Sequence, residues 1–240
     1  MTRKYLHEYE QLDAERLRPA ETPRYEKGMF HITAHAVDDM YAFCDWTDRQ
    51  EFLDCFKRHL SPTPVRDPQR RRPFPSYLGQ VSLVAFCILE NHYHLILRQH
   101  SSMGVRRLMR SVCVSYGRYF NGRYRRWPGS PIWAGEYTAT KINGSRQGAA
   151  AMTYVTLNHE VDRERYSFCS HDYYTGDRSA DWIDLRSGLW FFGGSVAEYE
   201  RAIREEGTAA LERKIARRAA KPSAPGRTPA RGRGSHIARD

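Results

Sequence analysis

Along GMFHITAHAV (residues 28–37) side chains alternate, with Phe30, Ile32 and Ala34 on one side and His31, Thr33 and His35 on the other. That period of two predicts a strand. From Asp45 to Leu60, DWTDRQEFLDCFKRHL opens on capping residues and then spaces Phe52, Leu53, Phe56 and Leu60 along one face of a helix. The Pro- and Arg-rich run SPTPVRDPQRRRPFP after it reads as a surface loop. VSLVAFCIL (81–89) and HYHLILRQ (92–99) predict two more strands, and the two residues between them, Glu90 and Asn91, fit a tight hairpin. Residues 103–120 pattern as an amphipathic helix with Val105, Leu108, Met109, Val112 and Tyr116 inward, ended by Asn121-Gly122. WAGEYTATKI (133–142) predicts a strand, and a helix over 145–159 follows, capped by Asn143 or Ser145. Residues 181–219 form a further, mostly helical stretch beginning DWIDLRSGLWFFGG. The order β-α-β-β-α-β-α implies an α+β sheet domain with helices packed on it.

Composition narrows the setting. At 240 residues the chain can bury one sizeable core, and its mean hydropathy of −0.72 is that of a polar protein. No apolar stretch is long enough to cross a bilayer, and the opening MTRKYLHEYEQ lacks the features of a secretory signal, so cytoplasmic residence without membrane partners is expected. Five cysteines with no CxxC pair point to a reducing compartment rather than a disulfide framework or a structural zinc site. Of the net charge of +10, residues 213–240 carry +8. Their Pro, Gly and Arg content predicts a disordered tail from 220 onward, which either attracts polyanions or serves as a solubilising end.

The chemistry concentrates elsewhere. In a strand His92 and His94 project from one face, with Tyr93 and Leu95 on the other. Two such imidazoles can chelate one divalent cation, or they are simply two satisfied, partly exposed histidines. A cation held by two ligands keeps open positions, which suits a Lewis acid better than a structural clip. In AMTYVTLNHEVD, Tyr154 and Asn158 lie four apart on one helical face; a phenol can act as nucleophile and an amide carbonyl as an oxygen ligand. From Arg106 to Arg126 there are seven arginines and no acidic residue, interleaved with Tyr116, Tyr119, Phe120, Tyr124 and Trp127. Such a run either grips single-stranded nucleic acid through phosphates and stacked bases or is the solvated face of an ordinary helix. Its candidate phosphate contacts are Arg106, Arg107, Arg110, Arg123, Arg125 and Arg126. Arg70, Arg71 and Arg72 make a second basic cluster, and Trp133 reads as core.

Four runs, in this order, resemble the single-tyrosine HUH transposases, in particular the REP-associated tyrosine transposases of bacteria: MFHITAHAVDDMYAFCDWTDRQEFLDCF, ILENHYHLI, SYGRYFNGRYRRWPGSPIWAGEY and YVTLNHEV. They span about residues 28–165. The resemblance implies an antiparallel ferredoxin-like sheet with packed helices and a C-terminal helical extension. It divides the chain into an N-terminal arm (1–27), a catalytic domain (28–165), an extension (166–219) and the basic tail (220–240). It also implies roles. His92, His94 and Asn158 would hold Mg²⁺ or Mn²⁺, and Tyr154 would attack a phosphodiester to form a 5′-phosphotyrosine link. The expected partner is single-stranded or hairpin DNA in the bacterial nucleoid, and a homodimer is left open. Glu90, Glu136 and His159 depart from the family pattern, replacing Pro, Arg and Pro. Two other classes stay open: a domesticated DNA-binding protein that does not cut, and a metal-dependent hydrolase of small phosphoesters.

Overall fold

The computed structural model describes residues 26–68, 71–158 and 168–219, excepting the side chains of 208–219. Most of the N-terminal arm, Arg70, His159 and the tail from 220 lie outside the described residues. Strand β1 (Gly28–His35) leads to helix α1 (Trp46–Leu60), then strands β2 (Val81–Ile88) and β3 (His92–Gln99). Helix α2 (Gly104–Arg123), strand β4 (Thr138–Ile142) and helix α3 (Gly144–Leu157) follow. Short helices α4 (His171–Thr175) and α5 (Leu185–Leu189) precede the long α6 (Val196–Ala219). The sheet runs β2-β3-β1-β4 with every neighbouring pair antiparallel. This is the ferredoxin-like arrangement, and it puts the two histidine-bearing strands side by side at the centre.

Strand alternation sorts the side chains into two cores. Phe30, Ile32 and Ala34 of β1 and Tyr93, Leu95 and Leu97 of β3 meet Phe52 and Phe56 of α1 and Leu108, Val112 and Tyr116 of α2. Ile96 of β3 and Val84, Ala85 and Cys87 of β2 meet Ala151, Met152 and Val155 of α3 on the opposite face. A bulge between Leu83 and Ala85 reverses the parity of β2, which is how Leu83 and Phe86, three apart, both join the first core. So α1 and α2 back the sheet on one side, and α3 covers the other.

The segment after α3 is packed into both cores. Phe168, Tyr173, Trp182 and Ile183 extend the first, while Tyr174, Phe192, Tyr199 and Ile203 press α3 from outside. Gly148 of α3 is close-packed by Phe191, and any Cβ there would overlap that ring. Helix α3 is therefore held between the sheet and the trailing helices.

Three boundaries differ from the sequence expectation. Helix α2 continues through Asn121-Gly122 to Arg123, because buried Asn121 donates from Nδ2 to the Ser130 carbonyl (3.0 Å), a tie that needs no helix break. Strand β4 begins at Thr138, not Trp133. Trp133 pairs only singly with Ala36 while its ring sits among Phe43, Phe52, Tyr93 and Tyr116, and packing that indole draws the chain away from β1. Helix α3 starts at Gly144, and neither Asn143 nor Ser145 caps it through a side chain. Instead Gln147 Oε1 reaches back to accept from the Asn143 amide (2.6 Å), satisfying a donor at the helix start. Among the described residues no helix is long and apolar enough to cross a membrane.

Candidate functional site

On the α3 face of the sheet the two central strands line up four histidines. Register pairs His35 with His92 and Thr33 with His94, so His31, His35, His92 and His94 share that face. The His35 and His92 rings stack at 4.6 Å, and His92 meets His94 edge to face at 5.1 Å. His31 reaches diagonally to His94, Nε2 to Nδ1, at 3.0 Å. Helix α3 delivers Tyr154 onto this group. Its ring stands edge-on to His94 at 5.3 Å and to His31 at 5.8 Å. The predicted nucleophile and the predicted imidazole pair therefore occupy one spot, although 60 residues of chain separate them.

Asn158 follows one turn later at the end of α3, where its backbone amide donates to the Tyr154 carbonyl. Its Nδ2 is buried with no hydrogen-bond partner among the described residues. Among those residues no group of three or more His, Cys, Asp or Glu is placed to hold an ion, and the Asn158 side chain carries a neutral oxygen one turn beyond Tyr154. The His92 ring fits a ligand's role. Its Nδ1 lies 2.7 Å from Asn91 Oδ1, which can only accept, so Nδ1 carries the proton and Nε2 the lone pair.

Sequence reasoning left His31 and His35 out of the site. Their signal was present in HITAH, where both share the parity of Thr33 and point the same way as the pair once β1 lies beside β3.

Burial keeps His31 and His92 neutral. Loss of hydration lowers the His31 pKa to about 3 and that of His92 to about 4, with His35 adding to the second. Burial also lowers His59 in the last turn of α1, against an opposing bond to the Pro75 carbonyl. Unfolding returns each ring to its ordinary value near ~6.5. Between the two values the unfolded chain binds more protons, so this stability is complete above about pH 6.5 and is lost as pH falls toward about 4. Each histidine contributes a slope of up to ~1.4 kcal/mol per pH unit. Thermal melts of the apo protein are expected to show Tm dropping steadily from about pH 6.5 to about pH 4.5, less steeply in His31→Gln. A Tm unchanged over that window would contradict the burial of neutral imidazoles.

The arginines of α2 stand elsewhere. That helix covers the α1 face, so its exposed side points away from the sheet and the histidines lie behind it. Arg106, Arg110 and Arg125 are exposed and have no ion pair among the described residues. Arg107 touches Gln80 (3.4 Å), and Arg126 is occupied by the Pro131 carbonyl (3.1 Å) and the Phe120 ring. Arg123 is committed to structure. It pairs with Asp45 (2.5 Å) and with fully buried Asp48 (2.6 Å), and its hydrogen bond is the chief reason the Asp45 carboxyl sits below its usual pKa. Asp48 also accepts from Tyr119, Tyr124 and the Cys44 amide. Trp133 is packed in the first core, whereas Trp127 is 82% exposed. Arg71, Arg72 and Glu136 are exposed.

The stretch that carries these residues is similar to known proteins. Residues 78–158, from before β2 to the end of α3, match the family described as IS200-like transposases. This segment carries His92, His94, Tyr154 and Asn158 together. A solved structure of a REP-associated tyrosine transposase bound to a REP hairpin is similar over 67% of this chain and 90% of that one, at 13% identity and a TM-score of 0.44. None of the curated proteins compared matches the chain.

Proposed function

We propose that the protein is a metal-dependent, tyrosine-nucleophile DNA strand transferase of the REP-associated kind, acting in the bacterial cytoplasm on single-stranded or hairpin-forming repeat DNA. The observation that carries this reading is the Tyr154 ring against His94, on the face where His92 also projects. His92 and His94 hold Mg²⁺ or Mn²⁺, with Asn158 as the oxygen ligand; when bound, the ion supplies Lewis-acid polarisation of a non-bridging phosphate oxygen.

The remaining steps belong to the chain. Tyr154 Oη attacks phosphorus, giving its proton to solvent. The new O–P bond forms as the scissile P–O3′ bond breaks, and the departing 3′ oxygen takes a proton from water. The product is a 5′-phosphotyrosine and a free 3′-hydroxyl. Because the ester conserves the bond, a 3′-hydroxyl attacking it reverses the step and rejoins a strand. The exposed arginines Arg106, Arg110 and Arg125 are the phosphate contacts this reading retains, with Arg107 and Arg126 adding to them once released from their present partners.

The test is incubation of the full chain with pooled single-stranded oligonucleotides, with and without hairpins, in Mn²⁺. Mass spectrometry is expected to find an adduct on the peptide containing Tyr154, absent when a chelator is added. DNA binding without any adduct, across several divalent metals, would instead support a domesticated binding protein. Turnover of a model phosphodiester by Tyr154→Phe would support the small-phosphoester hydrolase.

A further inference from the structure

We propose that His31 is a positioning residue for His94: it accepts the His94 Nδ1 proton and so keeps the lone pair on Nε2, where an ion shared with His92 can use it. The inference rests on the reading above that His92 and His94 hold a cation. It adds a residue which neither strand hairpin nor helix α3 contributes.

His31 is 1% exposed at the centre of β1, a position an aliphatic side chain would fill at less cost. Its cross-strand neighbour is Ile96, so reaching His94 takes a diagonal across the sheet. The rings lie 5.2 Å apart and within 15° of parallel, with the Nε2···Nδ1 distance at 3.0 Å. One of these nitrogens donates. Were it His31 Nε2, the His94 proton would sit on Nε2 and that nitrogen could not bind a cation. Donation from His94 Nδ1 gives the opposite tautomer. His92 is built the same way, with Asn91 Oδ1 as its acceptor at 2.7 Å. Both imidazoles thus have Nδ1 held by a neighbour in the sheet region. Ring orientation set by such a partner governs how well a histidine ligates. The same His31 ring also backs the edge of Tyr154, so one side chain braces both halves of the site.

The experiment measures Mn²⁺ binding to the full chain without DNA, by electron paramagnetic resonance and calorimetry. It compares the parent with His92→Ala, His31→Phe, His31→Met and His31→Gln. The apolar variants are expected to weaken Mn²⁺ binding about 10- to 100-fold. His31→Gln, whose Oε1 can accept in place of Nε2, is expected to recover binding to within a few-fold of the parent. Circular dichroism and metal-free melts identify which variants are folded, and Met stands in if Phe is not accommodated. Parent-like Mn²⁺ affinity in a folded apolar variant, or a Gln variant as weak as the apolar ones, overturns the positioning role alone. A parent that binds no Mn²⁺ sensitive to His92→Ala overturns the cation reading and this inference with it.

Discussion

Tyr154→Phe is expected to abolish covalent attachment to single-stranded DNA, a loss on the order of 10³-fold or more, while leaving DNA affinity within about two-fold. The substitution keeps the ring and its edge contacts with His31 and His94 and removes only the hydroxyl. The Tyr154 ring packs against the second core and is retained in the variant, so Tm should stay within a few degrees of the parent. Gel separation of radiolabelled oligonucleotide adducts, with binding followed by anisotropy, checks both parts. Undiminished adduct in Tyr154→Phe would transfer the nucleophile's role to another residue and end the reading.

Asp48→Ala is expected to carry the largest cost in stability, about 3 kcal/mol, or a fall in Tm of roughly 10 °C. Asp48 is fully buried and accepts from the Cys44 amide, Tyr119, Tyr124 and Arg123, at 2.9, 3.0, 2.7 and 2.6 Å. Removing the carboxylate strands several donors at once and leaves Arg123 with Asp45 and the Tyr119 hydroxyl. Arg123→Ala should cost less, because three neutral donors still satisfy Asp48. Differential scanning calorimetry of the two variants and their double mutant measures the coupling. A drop in Asp48→Ala no larger than in Arg123→Ala would show that the carboxylate is not the hub of the network. The network also joins the start of α1 to the end of α2, which sets the layer behind the histidine strands.

Local rules made the scaffold readable in advance. Alternation in HITAH and HYH assigned the faces of β1 and β3 correctly, and the Asp45 cap, whose Oδ1 accepts from the Asp48 amide, began α1 where expected. The i,i+4 spacing put Tyr154 and Asn158 on consecutive turns of α3. Contacts between distant segments were the part hidden from a linear reading. The His31–His94 bond spans 63 residues, and the Arg123–Asp48 pair spans 75. No periodicity reveals that a basic side chain in an arginine-rich run has a buried carboxylate waiting on another helix. Nor did the run itself disclose that α2 would lie on the far layer from the imidazoles, since both cores recruit equally apolar helix faces. The early part of 133–142 missed strand geometry for a related reason: the demand of the Trp133 indole for a place among four aromatic rings outweighed local strand preference.

Because α3 folds back onto its own sheet, attacker and imidazoles come from a single polypeptide. Stoichiometry follows from that self-sufficiency. Under the proposed chemistry, nicking at one end should scale to first order in protein concentration.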